Sequence, residues 1–287
     1  MAGAEPAAFW SVQLVVALVL NAVVQAIQIG AYAARLAGVV TGRIATSISL
    51  FNLFVTASRL ANLAYAPMLG TLSDRAGHAV HDPHLAAGAV NQLEWQIRLI
   101  VLAGTAGTIL GALLLPAFLF LFVRGISAFE RLGSVPRALL RLGDPRVWFA
   151  LAHSVRLPSP ASLRNFRLKD VPGKLLLGNV IVTGIYAIGV VAANFGSVLD
   201  PADARTAISL SGIVNGVATV SFALIVDPTS AYITDQAVKG ERTLGEVKSM
   251  VFYLAATAII GTLLSQLILY PAANAIAFVA HFVNQLR

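Results

Sequence analysis

Five stretches of this chain run for more than twenty residues without an Asp, Glu, Lys or Arg: Trp10–Ala34, Leu99–Val123, Leu175–Leu199, Thr206–Val226 and Met250–Tyr270. A sixth, Ile44–Leu72, carries one such residue, Arg59. A bilayer core of ~30 Å is crossed by ~20 apolar residues in a helix, so each stretch is a membrane span. Backbone polar groups in hydrocarbon must be satisfied within the segment, and repeated spans of this length therefore predict an all-α polytopic membrane protein. Prolines in or after two spans, Pro67 and Pro271, are expected to kink or end those helices. The first span holds Asn21, Gln25 and Gln28, follows no basic segment and is too long for a signal peptide, so it reads as retained.

Composition agrees. Of 287 residues, 57% are hydrophobic and 11% charged, a smaller charged share than soluble domains carry. The absence of cysteine excludes disulfides, thiolate metal sites and cysteine nucleophiles. The net charge of +7 follows from loop arginines rather than a nucleic-acid surface. With six spans, 15 basic residues fall on one side and four on the other. The loop from Arg124 to Lys174 supplies most of the 15, and Arg35 and Arg43 are read as the turn between the first two spans. The bias predicts that side in the cytoplasm and both termini outside.

An internal repeat is visible. RIATSIS (Arg43–Ser49) returns as RTAISLS (Arg205–Ser211), and Pro67 and Asp74 of APMLGTLSDRA align with Pro228 and Asp235 of DPTSAYITDQA, at offsets of 162 and 161. Asn21 and Asn179 stand 158 apart. Three spans per copy place the second copy upside down, which predicts two inverted three-helix repeats, residues 1–123 and 173–287. Residues 124–172 would be a basic loop with interfacial helices in which Trp148 and Phe149 dip into the membrane.

Polar residues line faces of the spans. Thr46, Ser49, Asn52, Thr56, Arg59 and Asn62 are spaced for one helical face, as are Asn21, Gln25, Gln28, Tyr32 and Arg35. Such faces look into protein or into water. Helix packing suffices for the small residues of the fifth span and for Thr105, Thr108 and Thr262. An arginine at mid-span, at ~2.5–3.5 kcal/mol on insertion scales, asks for more. Arg59 is either one half of an ion pair, with Asp227 or Asp74, or an anion-binding guanidinium in a wet cavity. Asp227, before Pro228, reads as a turn ending the fifth span or as a proton-linked carboxylate; Asp74 and Glu94 read as solvated span ends. His78, His81 and His84 are broken by Pro83 and predict no metal site, and no nucleotide-binding or zinc-protease motif occurs. No cofactor is implied.

The segment Ala34–Asp74 resembles the Amj family of lipid II flippases, the alternative to the MurJ type. The resemblance rests on Arg35, Gly38, Thr41 and Arg43, then Ser49-Leu50-Phe51-Asn52, then Arg59, Asn62, Pro67, Gly70 and Asp74. It implies translocation of undecaprenyl-pyrophosphate-linked disaccharide-pentapeptide from the inner to the outer leaflet for peptidoglycan synthesis, with no enzymatic step. On that reading Arg59, Arg35, Arg43, Asn52, Asn62, Gln25, Gln28 and Asn21 contact cargo, and Asp227 and Asp74 are the coupling candidates. Six spans make a small cavity for so large a headgroup, which favours a homodimer or a groove open to lipid. The rivals are an ion- or proton-coupled carrier of a small anion and an intramembrane enzyme acting on a lipid phosphate. The enzyme lacks an acid/base or nucleophile set. A lateral opening to lipid distinguishes the flippase from the anion carrier.

Overall fold

The computed structural model describes residues 8–132 and 166–286. All regular elements among them are helical, and six helices are long and apolar enough to cross a membrane. They are formed by α1 (Val12–Ala31) with α2 (Ala33–Thr41), α3 (Ile44–Val80), α4 (Ala86–Leu113), α6 (Gly173–Leu199), α7 (Ala204–Ser221) with α8 (Asp227–Val238), and α9 (Leu244–Gln285). A further helix, α5 (Leu115–Leu132), follows α4 after a break at Leu114.

Several boundaries differ from the sequence reading, each for a local reason. Pro116 has no N–H to give to the Ala112 carbonyl, and the helix breaks at Leu114, whose own N–H still reaches the Leu110 carbonyl at 2.9 Å. The window Leu99–Val123 therefore straddles two helices, and α4 starts earlier, at Ala86. Glu94 is not a solvated span end: it lies within α4 and pairs with Arg98 one turn on. The first span continues past Ala34 through a break at Tyr32, so Arg35 belongs to α2 and not to a turn. The turn is at Gly42, whose φ of 69° is left-handed and suits a residue without Cβ. Asp227–Pro228 does not end the fifth span. A π-helical turn, Phe222–Val226, in which the Asp227 N–H reaches the Phe222 carbonyl, carries the chain into α8. Pro228 then sits in the first turn of α8, where no N–H is required. Helices α3 and α9 run through Pro67 and Pro271, and at ~1.5 Å per residue both outreach a ~30 Å core. The interfacial helices expected around Trp148 and Phe149 lie outside the described residues, and α5 crosses the expected boundary at Val123 unbroken.

Two helix pairs make the framework. Helix α1 lies against α4, and a methyl group at Gly107 would collide with the Ala22 carbonyl. Helix α6 lies against α9, where a methyl at Gly261 would meet the Val180 carbonyl at 2.6 Å. Glycine lets the backbones approach, as small residues do in membrane interfaces. Beside each approach an asparagine bridges the pair. The Asn21 amide donates to the Ile100 carbonyl at 2.8 Å, and the Asn179 amide to the Leu254 carbonyl at 2.8 Å and to Thr257 at 2.9 Å. Asn21 and Ala22 precede Asn179 and Val180 by the same 158 positions, and Ile100 and Gly107 precede Leu254 and Gly261 by the same 154.

Helices α3 and α7 pack on these pairs from outside, α3 on α1 and α7 on α6. Only 18% and 6% of the apolar windows in their spans are buried, against 44–50% for the other four spans. A cluster of Tyr65, Leu69, Ile188, Val191, Phe195 and Leu269 joins α3, α6 and α9. It lies toward the end of the bundle that carries residue 8, where Gln96 donates to the Phe9 carbonyl. At the opposite end, which carries Gly42 and Gly240, α8 and α9 pack on α2.

Gly107→Leu and Gly261→Leu should each lower the unfolding midpoint of the purified protein, by about 1–3 kcal/mol of overpacking. Gly212→Leu, at an exposed site with open space around it, should not. A parent-like midpoint for either of the first two variants would contradict the backbone contact.

Candidate functional site

Between α3 and α7 the bundle is hollow. One chamber, of about 160 Å³, is lined by Gln25, Gln28 and Tyr32 from the first span, Asn52 and Arg59 from α3, and Thr108 from α4. Across it stand Thr183 and Tyr186 of α6, Thr219 of α7, Phe222 of the π turn, Asp227 and Thr262. A second chamber, of about 330 Å³, shares Phe51, Asn52 and Asp227 with the first and extends past Arg35, Ser47 and Thr234 toward the Gly42 end. Phe51, Asn52 and Asp227 thus border both chambers.

Arg59 stands on the exposed side of α3, 15 residues after Ile44, or ~22 Å along the helix. Among the described residues no carboxylate pairs with it. Tyr186 and Gln28 line the same chamber beside it. An unpaired guanidinium at this depth is tolerated only where water reaches it.

Asp227, one of the two carboxylates considered as a partner for Arg59, pairs with another arginine. Arg35 donates from Nη2 to Asp227 Oδ1 and holds its guanidinium 5.1 Å from the centre of the Phe51 ring. The Arg35 side chain is 10% exposed, while that of Asp227 is 41% exposed. Arg35 Nε is buried without a hydrogen-bond partner. One turn back, the Tyr32 hydroxyl donates to Asn179 at 2.9 Å and ties the first span to α6.

Of the residues singled out in the sequence, Arg59, Asn52, Gln25, Gln28 and Asp227 line the first chamber, and Arg35, Asn52 and Asp227 the second. Asn21 and Asn62 face instead a void of about 10 Å³, with Gln25, Tyr65 and Tyr186, and the Asn21 amide is engaged by α4. Arg43 is exposed and precedes α3; its neighbour Ile44 lines the second chamber. Asp74 is exposed toward the other end of α3 and borders neither chamber. His281 with Asp200 and Asp203 is a polar cluster where α9 ends, remote from the cavity residues in sequence, and His281 bonds Asp203 at 2.9 Å.

Tyr32, from the polar face of the first span, lines the cavity with Thr183 and Tyr186 of α6, and so do Thr108 and Thr262, for which the sequence suggests packing. The offsets of the fold find most of them. Gln25 and Gln28 lead to Thr183 and Tyr186 at 158, and Thr108 leads to Thr262 at 154; all six line the same chamber.

A family model described as "Amj: Alternate to MurJ" matches residues 20–280. The chain belongs to the Amj family. A curated relative, "Lipid II flippase Amj" of Bacillus subtilis (strain 168), is 36% identical over 256 residues, covering 89% of this chain and 92% of the relative. No solved structure matches. For this Amj-family chain, the stretch Ala34–Asp74 that carries the resemblance is also the one that brings Arg35, Phe51, Asn52 and Arg59 to the cavity.

Proposed function

We propose that this protein is a lipid II flippase that moves the polyprenyl-pyrophosphate glycolipid from the inner to the outer leaflet of the cytoplasmic membrane, with Arg59 holding the pyrophosphate on the way. One observation carries the reading: an unpaired arginine, deep in a span, faces a cavity that several polar side chains line, and two of the helices bordering it are the least buried of the bundle. The Amj family and the name of the Bacillus relative supply the cargo class. The planar guanidinium fork matches phosphate oxygens, and charge-assisted hydrogen bonds to it replace the water that solvates it when cargo is absent.

Size favours an open path. Chambers of 160 and 330 Å³ lie below or at the low end of small-molecule sites, ~300–1,000 Å³, and a disaccharide-pentapeptide exceeds them. The headgroup is therefore taken into a groove that widens as α3 and α7 part. The tail stays in lipid beside exposed Leu60 and Leu63 of α3 and Ile213, Val217 and Val220 of α7. A single copy suffices for such a groove, and no chemical step is needed.

The matched contacts at offsets 158 and 154 support two inverted repeats, with the cavity between them. Transport then proceeds by rocking of the halves, closing one end as the other opens. The basic bias assigns the Gly42 end to the cytoplasm.

Two outcomes are expected. In cells depleted of their main lipid II flippase, Arg59→Ala should accumulate normally yet fail to restore growth, and Arg59→Lys should restore it in part. Full rescue by Arg59→Ala at matched protein levels would refute the role. For orientation, cysteines placed at Ala87 and Ala202 should react with an impermeant reagent in intact cells, and cysteines at Gly173 and Glu241 should not. The reverse pattern would overturn the orientation, and Ala87 and Gly173 on one side would overturn the inverted repeat.

A further inference from the structure

The cavity holds a second arginine in a different state. Arg35 is nine-tenths buried, and its guanidinium lies against Phe51, itself 8% exposed. A guanidinium carries five N–H donors in a fixed fork. The bonds described for Arg35 use one Nη2 donor, to Asp227, and leave Nε buried without an acceptor. An orphaned donor next to a charge is costly in a buried site, and a bidentate anion would satisfy it.

The partner is held differently. Asp227 is 41% exposed, borders both chambers and follows the π-helical turn Phe222–Val226 directly. Such turns recur at functional sites. The pair therefore has one fixed member, the arginine, and one wet member on an irregular backbone. The second chamber, which contains both, is large enough for a small anionic group. It is also the part of the cavity nearer the Gly42 end, so a headgroup entering there meets Arg35 before Arg59.

Charge points the same way. A lipid diphosphate carries two ionised oxygens, and Arg59 alone answers one. Among the described residues lining the two chambers, the only other cation is Arg35.

We propose that Arg35 is a second diphosphate-binding group whose fork is held in reserve by Asp227, and that the phosphate of the entering polyprenyl diphosphate displaces the Asp227 carboxylate. This rests on the anion-binding reading of the cavity. Asp227 acts as a stand-in anion: it offsets the charge of Arg35 and holds its side chain in place while the site is empty, then yields to the cargo and turns to the water of the chamber. Removing it alone should strengthen binding of a diphosphate, which a purely structural ion pair would not do.

The test is calorimetric titration of the purified full-length protein in phosphatidylcholine nanodiscs. Farnesyl diphosphate serves as the probe, and inorganic diphosphate is run in parallel. Asp227→Asn should bind farnesyl diphosphate at least threefold more tightly than the parent. Arg35→Gln should bind it at least threefold more weakly, and Arg35→Gln/Asp227→Asn should match Arg35→Gln. Farnesyl diphosphate should bind more tightly than inorganic diphosphate if a lipid is the source of the anion; equal binding overturns the lipid part of the proposal. If Arg59→Gln weakens binding but Asp227→Asn leaves it at the parental level or lower, this inference fails while the role of Arg59 stands. If neither the parent nor any variant binds saturably, the anion-binding cavity itself is refuted. If Asp227→Asn does not fold, the neutral double variant decides, because it leaves no buried charge unpaired. Parental binding and growth rescue by the double variant overturn the proposal, and loss of both upholds it.

Discussion

A guanidinium carried into the span of a membrane helix must be met by a counter-charge or by water, and much of this molecule follows from the fact that it uses both. Arg35 is met by Asp227 and by the face of Phe51. Arg59 has no carboxylate partner among the described residues and stands on the open side of α3. The two solutions need different surroundings. The first requires α2 and α8 to touch, which fixes the Gly42 end of the bundle. The second requires α3 and α7 to stay apart, which leaves the cavity.

The framework makes that separation affordable. Close backbone approach at Gly107 and Gly261, reinforced by Asn21 and Asn179, concentrates packing in the α1–α4 and α6–α9 pairs. Helices α3 and α7 are then attached by one flank each, and neither has to be buried for the bundle to hold. The two ends of the space between them differ in chemistry. Toward residue 8 the helices meet through Tyr65, Leu69, Ile188 and Phe195, and toward Gly42 they meet at an ion pair with a wet aspartate. Apolar closure excludes a charged headgroup, whereas an ion pair offers it an exchange of partners. On the proposed reading the first is the barrier that rocking must open, and the second is the way in.

Much of this was legible in the residues, and the gaps have physical causes. Six spans follow from charge-free length, and the placement of Gln25, Gln28, Asn52 and Arg59 on one cavity follows from helical spacing. Helix ends were less legible because apolar windows do not register backbone breaks. Leu114 is as apolar as its neighbours, and the helix breaks there because Pro116 lacks an N–H. Pro228 had the opposite effect: a π turn absorbed it, and an expected helix end became a continuous span. The pairing of Asp227 with Arg35 is hidden in the sequence because apolar windows place Arg35 in a turn, whereas it lies in α2. An asparagine on a polar stripe, such as Asn21, looks the same from sequence whether it faces water or a neighbouring carbonyl. A threonine that packs and one that lines a cavity also look alike, and only the assembled bundle puts Thr108 and Thr262 on the chamber wall.

The central claim is that cargo passes between α3 and α7. Photo-crosslinking tests it most directly. Benzoylphenylalanine would be placed at Asn52 and at Thr219, which line the cavity, and at Ile109 and Leu267, which are exposed or partly exposed on α4 and α9. The purified variants would be reconstituted with headgroup-labelled lipid II and irradiated. The account predicts labelled adducts at Asn52 and Thr219, competed by unlabelled lipid II, and only background at Ile109 and Leu267. Equal labelling at all four positions, or labelling confined to the α4 and α9 sites, would contradict it.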